Sequence, residues 1–145
     1  MTLAEWKKNE WLVEHLSRRQ EINHLFRLIE RDLKDCRNKK LSLDWRFNIA
    51  YNAALQCANA ALAAEGFRAA KDSHHFRVIQ SLKFTLEIND KTIRKFDVFR
   101  KKRNISEYDR AGSVSIAEFD EMIALAEFLY KSASSWMKKN HADLI

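Results

Sequence analysis

The side chains most suited to chemistry are concentrated in one segment, Phe99 to Asp109. Four consecutive cations are followed there by an amide and a phenol: Arg100, Lys101, Lys102, Arg103, Asn104 and Tyr108. The guanidinium of an arginine binds phosphate through two parallel hydrogen bonds. An asparagine can orient a phosphate or ribose oxygen, and a tyrosine can stack on a base or donate a hydrogen bond. These residue types predict a site for nucleic acid, in which the four cations bind the phosphates of the nucleic-acid backbone.

The spacing of these residues decides whether they meet. On a continuous helix Asn104 and Tyr108, four residues apart, stand one above the other. Arg103 points about 100° away from Asn104, and Arg100 lies one turn earlier, near Arg103. Because the side chains are long, they can still line one polar cleft. The alternative is a solvated helix end, at which the cations offset the negative end of the helix dipole.

The composition predicts that helices position this segment. The 145 residues include two glycines and no proline, whereas a β-rich fold of this length needs many turns and the residues that favour turns. We expect one all-α domain over 1–145, an up-and-down bundle of four to five helices. Within it, 1–16 form an N-terminal flap and 17–139 form the core bundle.

Apolar residues at steps of three and four predict where the helices lie. Cap residues predict three of their starts: Ser42, Asn89, and Ser115 in a capping box with Glu118. The small residues that follow Ser42, from Ala50 to Ala64, are expected to let a neighbouring helix approach closely. The predicted helices are about 17–38, 42–65, 72–88, 89–109 and 115–137, with a loop from Arg110 to Val114 and a fraying tail from Lys138 to Asp143.

Several protein classes are excluded by what the chain lacks. No stretch approaches the roughly 20 apolar residues that cross a bilayer, and residues 1–8 contain no apolar signal-peptide core. We therefore expect a soluble protein of the cytoplasm. Cys36 and Cys57 both fall in helical patterns and are expected to be small buried hydrophobes. No histidine pair or carboxylate cluster indicates a metal, and no motif indicates a cofactor. The formal net charge of +6 is compatible with RNA or DNA as a partner.

The chain resembles the HEPN domain superfamily. Residues 103–108, Arg-Asn-Ile-Ser-Glu-Tyr, resemble the family signature, an arginine, often followed by a polar residue, and then a histidine after four to six intervening positions. Residues 50–55, 62–68 and 74–75 resemble the long second helix and the start of the third helix of that superfamily. The resemblance extends over roughly 21–136, which is most of the chain.

The resemblance implies a bundle that forms a homodimer, with two copies of the motif facing each other in a composite cleft. Active members are metal-independent ribonucleases, often toxins or abortive-infection effectors. Carried onto this chain, Arg103 would stabilise charge on the scissile phosphate, and Asn104 would be the polar residue beside it. Tyr108 stands where the family has histidine. The ordinary pKa of tyrosine is about 10, against about 6.5 for histidine, so Tyr108 is poorly suited to proton transfer at neutral pH.

His74 and His75 are the candidates to supply an imidazole. Because adjacent residues on a helix lie about 100° apart, at most one of them is expected to face the cleft. Both can also serve as cap or packing residues. Three functions remain open: a ribonuclease of a toxin–antitoxin or defence system, a non-catalytic RNA-binding module, and a protein-interaction domain such as an adaptor or the partner of an antitoxin.

Overall fold

The computed structural model describes residues 1–72, 74–108 and 113–145, with the backbone alone for 104–108. The described part of the chain is mostly helical, and this confirms the predicted all-α bundle. Four helices of 17 or more residues form the bundle, and two short helices and two short strands accompany them. The elements in chain order are α1 Leu3–Lys8, β1 Leu12–Glu14, α2 Arg19–Asp35, α3 Leu43–Ala64, β2 Phe67–Ala69, α4 His74–Gln80, α5 Asp90–Tyr108 and α6 Ile116–Asn140, with 3₁₀ turns at Ser81–Lys83 and Ala142–Leu144.

α3 is the central helix, packed between α2 and α6. Most of its small side chains are buried, as expected where neighbouring helices approach closely, whereas Ala64 at the end of the helix is only partly buried. Large aromatic side chains fill the remaining space against α5, with the rings of Phe47 and Phe99 5.7 Å apart and those of Tyr51 and Phe96 5.8 Å apart. The buried small residues of α3 are Ala50, Ala53, Ala54, Cys57, Ala58, Ala60, Ala61 and Ala63.

The predicted caps hold three helix starts in place. The Ser42 hydroxyl accepts a hydrogen bond from Trp45 N at 3.2 Å, and Asn89 Oδ1 accepts one from Thr92 N at 2.8 Å. Ser115 and Glu118 make both bonds of a capping box at the start of α6. The two cysteines are buried and free, as predicted. None of the described helices is long and apolar enough to cross a membrane.

The predicted flap over 1–16 is more ordered than the sequence indicates. β1 pairs antiparallel with β2, with Leu12 opposite Ala69, and this two-stranded sheet has no counterpart in the prediction. Three-residue strands are too short to show an alternating pattern. Gly66, at φ +93°, makes the turn out of α3 that leads into β2. Trp6 packs edge-on against Trp11 and Phe84, which joins the flap to the main core.

Two other segments differ from the prediction. The helix predicted over 72–88 changes to a 3₁₀ turn after Gln80. Hydroxyl groups bond to the main chain there, with Ser81 Oγ 2.6 Å from Val78 O, and such bonds compete with the regular helix ladder. The prediction that the tail frays from Lys138 is wrong. α6 continues to Asn140, because Leu144 and Ile145 pack back on the small cluster around Ile22 and Met137.

Candidate anion-binding site

Three helices bring a guanidinium, a phenol and an imidazole together. The Arg103 guanidinium of α5 lies 5.5 Å from the centre of the Tyr51 ring, which belongs to α3. The Tyr51 hydroxyl lies 3.3 Å from Nδ1 of His75, the second residue of α4. We call these residues, with Phe76 and Arg100, the Tyr51 cluster. It forms where α3, α4 and α5 meet.

The sequence of α5 explains why two cations of the basic run reach this cluster. Arg100 follows Phe96 by four residues, and Arg103 follows Phe99 by four, so each cation stands one turn beyond a buried ring. Phe96 and Phe99 are fixed in the core by their contacts with α3. The packing of the helix therefore directs both guanidinium groups toward α3 and α4.

Arg100 is held in place by an ion pair and by an aromatic neighbour. Its Nε lies 2.7 Å from Asp97 Oδ1, and its guanidinium lies 5.7 Å from the centre of the Phe76 ring. The Asp97 side chain is mostly covered, whereas Lys101, which approaches the same carboxylate at 3.7 Å, is 66% exposed. Arg100 thus belongs to the structured site, and Lys101 reaches into solvent beside it.

The phenol of Tyr51 is the most deeply buried group of the cluster, since this residue is only 1% exposed. Burial raises the pKa of Tyr51 to about 12, although the charges of Arg103 and Arg100 act in the opposite direction. The hydroxyl therefore keeps its proton at neutral pH and can donate it in a hydrogen bond to His75 Nδ1. In that arrangement the Nε2–H group of a neutral His75 is the donor on the other side of the ring.

Other predicted site residues lie elsewhere or outside the described residues. Lys102 faces α6, with its Nζ 3.3 Å from Glu118 Oε2, because each step along a helix turns the side chain by about 100°. His74 lines a neighbouring pocket, and its ring centre is 5.8 Å from that of His75. The side chains of Asn104 and Tyr108 lie outside the described residues, as does most of the loop predicted from Arg110.

Sequence reasoning missed three members of this surface. Tyr51 lies within the predicted helix that follows Ser42, and nothing in the local sequence marks it as a site residue. Phe76 and Arg77 directly follow the two histidines, and Arg77 lies 3.7 Å above the centre of the Trp11 ring. Residues 74–77 consist of two histidines, a phenylalanine and an arginine. This combination is the signal that could have identified the segment, since cations and aromatic rings together favour the binding of nucleic acids.

The described residues contain no group of three or more histidine, cysteine or acidic side chains that could hold a metal ion. No protein-family model matches the chain, and a search of curated proteins finds no similar sequence.

Proposed function

We propose that this protein binds RNA through the Tyr51 cluster, as a HEPN-like helical module. One observation carries the proposal: Arg103 and His75, from different helices, both contact the phenol of Tyr51. Because the guanidinium and the imidazole both lie against one phenol, we infer that they bind the same stretch of an RNA backbone. The net charge of +6 favours a polyanion as the partner.

Each side chain of the cluster has a part in this binding. Arg103 offers the planar fork that matches two phosphate oxygens. His75 offers its Nε2–H group while Tyr51 donates to Nδ1, and the covered Asp97 carboxylate holds Arg100 beside them. The ring of Phe76 is partly exposed and lies next to Arg100, so an RNA base can stack there.

A second candidate is metal-independent RNA cleavage, the activity that the HEPN resemblance implies for toxin–antitoxin and defence systems. The observation that favours it is the position of His75, since an imidazole is the group that Tyr108 lacks. In this route the 2′-hydroxyl loses its proton to His75 Nε2 and attacks the adjacent phosphorus. Arg103 stabilises the negative charge that develops, and the bond to the 5′ oxygen breaks. The 5′ oxygen takes up a proton from solvent and His75 releases its proton to solvent, which leaves a 2′,3′-cyclic phosphate and a 5′-hydroxyl. The route requires Nδ1–H to donate to the Tyr51 oxygen.

The test combines binding and cleavage of a labelled RNA by purified protein in the presence of a chelator. The variants are Arg103→Ala and His75→Ala, with Lys102→Ala as the matched control on the other side of the helix. Binding by the wild type that both site variants weaken, without cleavage, supports the binding module. Cleavage that both site variants abolish supports the enzyme. Failure of the wild type to bind RNA even at low salt would overturn both.

A further inference from the structure

A row of amide side chains runs along the open side of α3. Spacings of four, four and three residues place Asn48, Asn52, Gln56 and Asn59 on one face. At 1.5 Å per residue the row is about 16 Å long. Amides in a row offer both donors and acceptors along this face of α3.

The amides are oriented by bonds to protein groups. Asn52 Nδ2 donates to Asp32 Oδ2 of α2 at 2.9 Å, and Asn59 Nδ2 donates to Gln56 Oε1 at 3.1 Å. Each of these bonds uses one half of an amide, which leaves the other half for a ligand. Asn48 Oδ1 has no hydrogen-bond partner within the described part of the chain. The row is therefore more than a solvated helix face, because its side chains are held in set directions.

The row ends at an open pocket of about 280 Å³ between α2, α3, β2 and α4. This volume is near the lower limit of about 300–1,000 Å³ for pockets that take drug-sized ligands, so it suits a single heterocycle. His15 Nε2 lies 2.6 Å from both carboxylate oxygens of Glu21, and both side chains are about one-third exposed. The polar lining consists of His15, Glu21, Gln56, Asn59, Arg68 and His74.

The pocket and the Tyr51 cluster adjoin. His74 lines the pocket, His75 contacts Tyr51, and the centres of their two rings are 5.8 Å apart. A nucleic-acid strand carries a base on the sugar next to each phosphate. Such a strand can therefore place a phosphate on His75 and the adjacent base beside His74. The lining supplies what reads a base edge, namely amide donors and acceptors, a carboxylate and an imidazole.

We propose that this pocket takes an unpaired base of a single-stranded RNA whose backbone lies on the Tyr51 cluster. The inference rests on the proposed function. It specifies that the RNA is single-stranded and that the protein prefers some bases over others. Base pairing occupies the edges that the amides would read, so a duplex is a poor ligand. Because amides distinguish donor from acceptor patterns, the four bases bind with different affinities.

The experiment measures fluorescence anisotropy of labelled oligoribonucleotides of equal length. The probes are oligo-A, oligo-C, oligo-U, a G-containing strand and a duplex. The proteins are the wild type, the double variant Gln56→Ala with Asn59→Ala, and Gln56→Glu. Asn140→Ala is the control, an exposed amide at the far end of α6. Alanine favours helix at both pocket positions, so folding is retained, and a thermal melt checks it.

We expect the wild type to prefer one single strand over the others by about fivefold or more, the effect of a well-placed base contact. The double variant loses that preference and keeps the salt-dependent binding that Arg100 and Arg103 provide. Gln56→Glu, which replaces a donor with an acceptor, changes the order of the bases. Asn140→Ala behaves as the wild type.

Three results would overturn the inference, and each leaves a different conclusion about the proposed function. RNA binding by the wild type with equal affinity for all strands, unchanged in the Gln56 and Asn59 variants, rejects the base pocket and leaves the proposed function intact. The absence of RNA binding by the wild type rejects the proposed function and the pocket with it. A preference for the duplex also rejects the pocket.

Discussion

The two sides of the basic run in α5 have different surroundings although the four cations are consecutive. On one side Arg103 lies over Tyr51, and Arg100 pairs with the covered carboxylate of Asp97. On the other side Lys102 pairs with Glu118 at the start of α6. The first side therefore contacts aromatic side chains of α3 and α4, and the second contacts the capping box of α6.

Adjacent charges in a helical sequence therefore do not form one patch. The turn of about 100° per residue separates them, and the residues one turn earlier decide which cation faces which neighbour. We therefore assign RNA binding to the arginines and assign Lys102 to the stability of the fold. Substitutions on each side of α5 test that division.

Replacing Arg103 with alanine should weaken RNA binding by about tenfold or more, since a hydrogen bond to a charged group contributes about 1.5–3 kcal/mol. Lys102→Ala should change the affinity by less than about threefold, because this cation pairs with Glu118 of α6 and not with the Tyr51 cluster. Titrations at several salt concentrations measure both effects. Arg103→Ala should also reduce the salt dependence of binding, because one phosphate contact is lost. Equal losses in the two variants would remove the distinction between the two sides.

Replacing Ser115 with alanine tests the opposite side of the helix. The change removes the hydroxyl that accepts a bond from Glu118 N at 3.1 Å, and the loss of such a cap costs about 1 kcal/mol of stability. Chemical denaturation measures it. RNA affinity should be unchanged, because Ser115 caps α6 and is not part of the Tyr51 cluster. A Ser115→Ala variant that binds RNA more weakly while retaining its stability would contradict the assignment.

The bundle could be predicted from the sequence because its signals are local. The scarcity of glycine and the steps of three and four predict long helices, and Ser42, Asn89 and Ser115 predict where three of them begin. The two short strands could not be predicted in this way. Their pairing joins residues more than fifty positions apart, and each strand is too short to show a period.

The candidate site could be predicted only in part, because it is assembled from three helices. The sequence identifies Arg100 and Arg103 by their charge and raises His75 as a source of imidazole. It does not indicate that Tyr51 brings Arg103 and His75 together, since that depends on how α3, α4 and α5 pack. Nor does it separate Lys102 from the arginines, because that requires the position of α6.

Replacing Tyr51 with phenylalanine tests whether the hydrogen bond between Tyr51 and His75 contributes to RNA binding. The ring and its contact with Phe96 remain, but the hydrogen bond with His75 is lost. Since a neutral hydrogen bond contributes about 0.5–1.5 kcal/mol, we expect RNA affinity to fall by roughly threefold. Tyr130→Phe is the matched control, because that hydroxyl donates to Glu30 of α2 at 3.2 Å. The same loss in both variants would show that His75 does not depend on Tyr51.

The smallest effect concerns acid stability on the Lys102 side. The main-chain N–H of Ser115 bonds to the Glu118 carboxylate and lowers its pKa below the ordinary value of a glutamate, and Lys102 acts in the same direction. A carboxyl group with a lowered folded pKa stabilises the protein above its unfolded pKa, and this contribution is lost as the pH falls through the folded pKa. Glu118→Gln should therefore be less stable than the wild type near pH 7, and the difference should close below about pH 4.

We expect the difference in the free energy of unfolding near pH 7 to be a few tenths of a kcal/mol, because the Glu118 side chain is 37% exposed and solvent screens its charge. Denaturation series at several pH values measure the difference, and a gap that stays constant down to pH 3 would show that the charge of Glu118 contributes nothing to the cap.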